Sequence, residues 1–237
     1  GLQKSGIKKG DRIGVLGKNS LEYFLLYGAA AALGAILLPI NWRLSAEEVG
    51  FNLNDCEPKL VFADKEFQEL VQGLKAKLAS VENYYNLGPE GGGFLAFDTL
   101  MDNPGKFEAE DVSSDDGFVI IHTAAVAGRP RGALLCHENI ACADMHFDYL
   151  FNVTPEDVHL NLLPLFHIAG LIMATTSFHA GALNVNMSKF DAPRAVELIE
   201  EKKVSMLFTF SPILSSILEQ NEKTGKGLKS LRLSSGL

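Results

Sequence analysis

The stretch RIGVLGKNSLEYFLLYGAAAALGAILLPI, residues 12–40, contains the unit that decides the fold class. Its ends, RIGVLG (12–17) and AILLPI (35–40), are short apolar runs of the kind that form buried strands. Between them Ser20 is placed to cap a helix whose apolar residues recur at three- and four-residue steps. A strand, a helix and a second strand at this spacing predict a parallel βαβ unit.

The same alternation continues along the chain. Ser45 and Glu48 form a capping-box pattern, which predicts a helix to about Asn54. Further strands are predicted at 59–64, 82–87, 118–123, 133–136, 158–163, 182–186, 204–210 and 231–235, and further helices at 65–79, 138–150, 168–179, 192–202 and 212–221. The pattern predicts an α/β fold of mostly parallel sheets covered by helices on both faces, with sites at the carboxyl ends of the strands.

One polar, glycine-rich stretch, residues 88–116, interrupts this rhythm. It holds one short helix at most. It is either a surface excursion within one domain or a link between two lobes, and we favour the excursion because no second composition change marks a domain boundary.

Composition excludes several classes of protein. The chain has 237 residues, 47% of them hydrophobic, and a net charge of −8 from 29 acidic and 21 basic residues. It can bury a large core, and its charge argues against nucleic acid and anionic lipid as partners. The longest apolar run, 28–40, is too short to cross a bilayer, and the first residues have no signal-peptide order.

The cysteines indicate a reducing compartment. Cys56, Cys136 and Cys142 are odd in number and show no paired spacing, so we expect no disulfide framework and a cytoplasmic location.

The segment FVIIHTAAVAGRPRGALLCHEN, residues 118–139, is the first that suggests chemistry. An apolar strand leads into a loop of small residues with two arginines and then into another apolar run. Small side chains let backbone N–H groups approach an anion, and a guanidinium neutralises it, so the loop fits a phosphate cradle. It lacks the Walker A order, and a plain solvated turn remains the alternative.

The second such segment is NLLPLFHIAGL, residues 161–171, in which His167 stands where a helix is predicted to begin. A histidine between apolar residues is most often a buried core residue, so His167 alone does not indicate a site. The other histidines show no metal-ligand spacing, and we expect no protein-held zinc or other metal site. No G-x-S-x-G elbow is present, and Cys136 and His137, taken as neighbours in a strand, would point to opposite faces.

Together these two segments, in this order, resemble the adenylate-forming (AMP-binding) superfamily, and within it the long-chain fatty acid:CoA ligases. The similarity extends over the whole chain, from KKGDRIGVLG to LRLSSG. It implies a reaction in which ATP and a carboxylic acid give an acyl-adenylate and pyrophosphate, after which coenzyme A takes the acyl group. ATP, Mg²⁺ and coenzyme A are the implied substrates and cofactors, and a fatty or other hydrophobic acid is the implied small-molecule partner.

The resemblance also implies roles for individual residues. Thr123, Gly128, Arg131 and Gly132 fall on the phosphate loop, and Ser235 and Gly236 on a turn that approaches the nucleotide. His167 falls on the aromatic/His position beside the acyl carboxylate. An apolar acyl pocket would be lined from Phe208, Phe210 and Pro212.

The loop departs from the family pattern Thr-Ser-Gly-Thr-Thr-Gly. Residues 124–127 are Ala-Ala-Val-Ala, so three hydroxyls and one glycine are replaced, and Arg131 stands where the family has lysine. If each hydroxyl contributes on the order of 1 kcal/mol, their loss costs about a hundredfold in nucleotide affinity or rate. The alternative is therefore a non-catalytic homologue that binds acyl or nucleotide ligands; a purely structural interaction module is a third reading.

The family continues beyond the position of Leu237 with a Thr-Glu motif, a ribose-binding Asp and a mobile C-terminal domain. We therefore expect residues 1–237 to be a truncated N-terminal part of the AMP-binding large domain, inactive alone, with the mobile domain absent. The sequence indicates neither the acyl preference nor the oligomeric state.

Overall fold

The computed structural model describes residues 1–88, 93–103, 105–123 and 130–235. These residues form two compact units, Gly1–Asn139 and Ile140–Leu237. Each unit contains one β-sheet with its own helices, so the α/β architecture expected from the sequence is present in both.

The first unit is built on a six-stranded sheet. Its strands are β1 (Arg12–Leu16), β2 (Ile36–Ile40), β3 (Leu60–Ala63), β4 (Asn83–Asn86), β5 (Gly117–His122) and β6 (Gly132–Cys136). They lie in the order β4-β3-β1-β2-β5-β6. Neighbours are parallel except β5 and β6, which form an antiparallel pair.

Local capping explains where the helices of this unit begin. They are α1 (Leu21–Leu33), α2 (Ala46–Cys56), α3 (Gln68–Leu74) and α4 (Asp98–Met101), with 3₁₀ turns at Lys65–Phe67 and Lys75–Lys77. The Ser20 hydroxyl accepts the Tyr23 N–H, and Ser45 and Glu48 form the predicted capping box at the start of α2. The sequence predicts one helix over residues 65–79. In the structure α3 is the single α-helix of that stretch, with a 3₁₀ turn before it and another after it.

The end of α2 is held by a cation from the adjacent strand. Arg12 donates from Nε to the Cys56 carbonyl at 2.7 Å and from Nη2 to the Glu57 carbonyl at 3.0 Å. The last carbonyls of a helix have no partner within it and carry partial negative charge, so a guanidinium there satisfies both needs. This contact fixes the end of α2 against β1.

Residues 88–116 lie within the first unit. Phe94, Phe97 and Leu100 are buried, and Phe97 makes an edge contact with Phe62 at 6.0 Å between ring centroids. In the described part of this stretch α4 is the single α-helix, as expected.

The second unit has a four-stranded parallel sheet. Its strands are β7 (Val158–Asn161), β8 (Leu183–Asn186), β9 (Met206–Phe208) and β10 (Leu233–Ser235), in the order β10-β9-β7-β8. The helices are α5 (His137–Phe151), which begins before the division between the units, α6 (Ile168–His179), α7 (Ala192–Lys202) and α8 (Ser211–Thr224).

The core of the second unit is formed where β7 and β9 meet α7 and α8, around Leu160, Val196, Ile199, Leu207 and Ile217. The predicted bounds of α6 and α7 are confirmed to the residue, whereas the strand expected at 204–210 is limited to Met206–Phe208. The strand ends before Thr209, and Phe210, which has an extended backbone, is the N-cap residue of α8.

Candidate active site

The proposed phosphate loop is the connection of a β-hairpin. The Thr123 N–H donates to the Arg131 carbonyl at 3.0 Å, and the Thr123 hydroxyl lies 3.4 Å from the same oxygen. These bonds continue the β5–β6 pairing, in which His122 is opposite Gly132. The base of the loop is therefore fixed by backbone bonds, and the loop leads into a strand, as the sequence predicts.

Arg131 lies at the end of this loop and is exposed. No carboxylate in the described part of the chain pairs with its guanidinium. An exposed, unpaired guanidinium next to a closed hairpin is suited to bind an anion. Thr123 is also exposed. Gly128 and the replaced residues 124–127 lie outside the described residues.

Gly132 has a packing role in addition to its expected loop role. A Cβ at Gly132 would lie 2.7 Å from the Ile120 side chain and 3.4 Å from Nε2 of His122. Glycine here therefore lets the His122 ring lie across the β6 backbone.

His167 is exposed, so it is not the buried core histidine that its apolar neighbours suggested. It is the N-cap residue of α6, with an extended backbone, and its Nδ1 accepts the Ala169 N–H at 3.2 Å. That bond makes Nδ1 the acceptor and leaves Nε2 as the donor facing away from the helix start. A fixed, exposed imidazole N–H at a helix N-terminus is suited to contact a carboxylate.

Gly170 positions this turn. A Cβ at Gly170 would overlap the Pro164 carbonyl and lie 2.7 Å from the Leu163 carbonyl oxygen. Only glycine lets α6 start this close to the end of the β7 connection.

The carboxyl edge of the second sheet gathers several expected residues. Ser235 ends β10 and is the register partner of Phe208, which ends β9, and the Thr209 N–H donates to the Ser235 carbonyl at 2.9 Å. His167 follows β7, one of the two inner strands, at the same edge. In parallel sheets this edge is the usual place for a ligand.

The three residues expected to line an acyl pocket lie around the start of α8. Phe208 is half-buried and meets the Phe147 ring edge-on at 6.3 Å, Phe210 is the half-buried N-cap of α8, and Pro212 is exposed in its first turn. Gly236 lies outside the described residues.

A cavity of about 390 Å³ occurs elsewhere in the first unit, among α1, α4 and residues 1–4, 103 and 105–107. None of the expected site residues lines it. Cys136 ends β6 and His137 begins α5, so the two are not neighbours in one strand, and the Cys136 thiol contacts Asn139 instead.

One cluster of reactive side chains was missed by the sequence analysis. Asp55 and Cys56, at the end of α2, meet His122, at the end of β5. Burial raises the pKa of the Cys56 thiol to about 11 and lowers the pKa of His122, so both groups are neutral at pH 7. Sequence spacing gives no signal for this cluster because His122 is 66 residues from Cys56.

Among the helices that the structure describes, none is both long and apolar enough to cross a membrane.

Comparison with known proteins finds one family whose model matches nearly the whole chain. The model of the family described as AMP-binding enzyme matches residues 1–236. The chain is 30% identical over 236 residues to an indoleacetate–CoA ligase of Aromatoleum aromaticum, which covers 98% of this chain and 46% of that protein. It is 32% identical over 206 residues to a long-chain-fatty-acid–CoA ligase of Mycobacterium tuberculosis, over 86% of this chain and 40% of that one.

The fold agrees with these relatives. The crystal structure of a Rhodopseudomonas palustris CGA009 protein, assigned as a long-chain-fatty-acid CoA ligase, matches with a TM-score of 0.93 and 40% identity, over 100% of this chain and 59% of that one. The chain spans about half the length of the curated relatives it matches.

Proposed function

The chain belongs to the AMP-binding enzyme family, and from this membership we propose that it forms part of an ATP-dependent acid–thiol ligase. In the proposed reaction the carboxylate of a fatty or other hydrophobic acid attacks the α-phosphorus of ATP and displaces pyrophosphate. The thiol of coenzyme A then attacks the acyl carbonyl and releases AMP. Residues 1–237 would contribute the N-terminal part of the large domain.

The observation that carries this proposal is the β5–β6 hairpin with its exposed Arg131, which pairs with no carboxylate among the described residues. By the sequence resemblance, this hairpin would correspond to the family's phosphate loop. The leaving pyrophosphate accumulates negative charge as the bond to the α-phosphorus breaks. A guanidinium and backbone N–H groups held in place beforehand stabilise that charge without reorganisation. Thr123, Gly128, Arg131 and Gly132 would bind the phosphates.

The second unit carries the remaining residues to which the resemblance assigns a role. His167, with Nε2 directed away from its own helix, would donate to the acyl carboxylate and so orient it for attack. Ser235 and Gly236 would approach the nucleotide, and Phe208, Phe210 and Pro212 would contact the acyl chain.

Magnesium is the implied counter-ion of ATP, but the residues described here do not form its site. Mg²⁺ is held by oxygen ligands, above all carboxylates. The described residues that flank the loop, Thr123 and 130–132, include no carboxylate.

The test is an assay of the longer ligase in which this chain forms the N-terminal part. With ATP, Mg²⁺ and a panel of fatty and aryl acids, we expect pyrophosphate release and trapping of the acyl-adenylate as a hydroxamate. Arg131→Ala is expected to lower kcat/KM for ATP about 100-fold, and His167→Ala to lower kcat/KM for the acid about 10-fold.

Matched surface variants serve as controls. Arg194→Ala removes an arginine that pairs with Glu197 and Glu201 on its own helix, and His146→Ala removes an exposed histidine of α5. Both should keep wild-type kinetics. Absence of turnover with every acid in the panel would overturn the proposal.

A second candidate, a homologue that binds ligands without catalysis, is favoured by one observation: the Ala-Ala-Val-Ala run at 124–127. Restoring hydroxyls by the double substitution Ala124→Ser and Val126→Thr separates the two candidates. In a dormant enzyme the double substitution should raise activity from near zero. In a working enzyme it should change the activity by less than the hundredfold estimated for the loss of three hydroxyl contacts.

A further inference from the structure

Three side chains of different chemistry converge where α2 and β5 end. We propose that Asp55, Cys56 and His122 bind one divalent transition-metal cation of the zinc type. His122 Nε2 lies 3.6 Å from Asp55 Oδ2 and 4.0 Å from Cys56 Sγ. All three donor atoms lie within 4.8 Å of one another. The proposed site does not depend on the ligase reaction.

The arrangement is that of a ligand set and not of a nucleophile relay. In a relay the base contacts the nucleophile through one ring nitrogen and the orienting carboxylate through the other. Here the thiol and the carboxylate both face Nε2. Nδ1 is buried and has no hydrogen-bond partner within the part of the chain that the structure describes. This geometry excludes a catalytic triad. It leaves a single position that the thiol, the carboxylate and Nε2 could all contact, where one cation could bind.

The distances fit coordination better than direct hydrogen bonding. A nitrogen to oxygen separation of 3.6 Å is longer than the 2.7–3.2 Å of an ordinary hydrogen bond. Metal bonds of about 2.3 Å to sulfur and about 2.0–2.2 Å to nitrogen and oxygen place tetrahedral ligands roughly 3.3–3.6 Å apart. The two separations from His122 Nε2, 3.6 Å to Asp55 Oδ2 and 4.0 Å to Cys56 Sγ, lie within a few tenths of an ångström of that range. Side-chain torsions of Asp55 and Cys56 would bring the third pair of donors to the same spacing.

The ligand types select the cation. A thiolate, an imidazole and a carboxylate suit Zn²⁺ or Co²⁺, while Mg²⁺ and Ca²⁺ require oxygen ligands. Binding replaces the thiol proton of Cys56 by the cation, and the proton leaves to solvent. The Asp55 side chain is 46% exposed, so water can complete a fourth position.

The surroundings hold the imidazole in place. The His122 side chain is only 7% exposed, and Gly132 on the paired strand makes room for its ring. The Cys56 carbonyl is fixed by Arg12. Because Thr123 follows His122 directly, a bound cation would tie the end of α2 to the first residue of the proposed phosphate loop.

The test is a titration of the reduced 237-residue chain with Co²⁺. We expect saturation at one equivalent, with the visible bands of tetrahedral cobalt and a near-ultraviolet sulfur-to-cobalt charge-transfer band, both removed by Zn²⁺. The double variant Cys136→Ser/Cys142→Ser leaves Cys56 as the single thiol and should keep the bands. Cys56→Ser should lose the charge-transfer band.

Asp55→Asn tests the site without disturbing the core, because Asp55 is exposed. It should weaken Co²⁺ binding by more than about tenfold, since even outer-sphere partners of a metal contribute that much. It should also abolish the rise in melting temperature that Zn²⁺ gives the wild type. Three results would each overturn the site: no charge-transfer band in the wild type, a band that persists in Cys56→Ser, or a band lost in the Cys136→Ser/Cys142→Ser variant.

Discussion

At the scale of single residues, two buried aspartates in the second unit show how differently carboxyl groups can be placed. Asp157 accepts a hydrogen bond from Arg232 Nε at 2.7 Å and one from the Ser205 hydroxyl at 2.7 Å. The Arg232 bonds above all hold the pKa of Asp157 well below its usual range. Asp144 instead accepts from the hydroxyls of Thr175 and Thr176, and burial raises its pKa to about 6.

Asp157→Asn is expected to destabilise the protein at pH 7 by about 2–4 kcal/mol, because it leaves the Arg232 guanidinium without its charged partner. A lowered pKa in the folded state gives stability that is present above the ordinary pKa of about 4 and is lost as pH falls below it. The variant should therefore lose less stability than the wild type when urea unfolding is compared at pH 7 and pH 3.

The exposed pair of Arg194 and Glu197 provides the control for that variant. Glu197→Gln should cost less than about 1 kcal/mol, since exposed pairs are screened by solvent. Equal losses in the two variants would contradict the role given to Asp157.

Asp144→Asn should act in the opposite direction. With a folded pKa of about 6, ionised Asp144 destabilises the fold above that pH, and stability rises as pH falls from about 6 to about 4. Asparagine can still accept from both threonines and carries no charge. The variant should therefore be more stable by about 1–3 kcal/mol at pH 7 and should lose that pH dependence, as measured by urea unfolding between pH 4 and 7. Destabilisation at pH 7 would contradict this account.

At the scale of elements, the start of α6 depends on one glycine. Gly170→Ala places a methyl group against the backbone carbonyls of Leu163 and Pro164, which cannot move without shifting the turn that carries His167. We expect a loss of about 3 kcal/mol, measured by thermal unfolding. Gly28→Ala in α1, where no atom lies within 4 Å of the new Cβ, should instead stabilise by about 0.5–1 kcal/mol. A neutral Gly170→Ala would show that the turn can relax.

Elements were also where sequence patterns were most informative. Ser20 and Ser45 were identified as caps from neighbouring residues, and the bounds of α6 and α7 were predicted correctly. Capping and helical periodicity are interactions over a few residues, so the sequence displays them. The prediction of one helix over 65–79 missed the 3₁₀ turns on either side of α3, because the helical pattern of the sequence shows no break at those turns.

At the scale of the whole molecule, the question is how much of the reaction this chain supports alone. It spans about half the length of its curated relatives. We expect the 237-residue chain to show no acyl-adenylate formation, because the Thr-Glu motif, the ribose-binding Asp and the mobile C-terminal domain that the resemblance implies are not among its residues. Pyrophosphate release with ATP, Mg²⁺ and a fatty acid measures this, with the longer ligase as the positive control. Turnover by the chain alone would contradict the expectation.

The sequence by itself determined the α/β class, the helix caps, the loop that follows Thr123 and the family to which the chain belongs, because each is written in residues close along the chain. Only the tertiary structure decided that β6 pairs antiparallel with β5, that His167 is exposed, that Arg232 reaches Asp157 across 75 residues and that Cys56 meets His122 across 66. The physical reason is that strand order and side-chain burial depend on contacts between segments far apart in sequence, whose free energy no local pattern records.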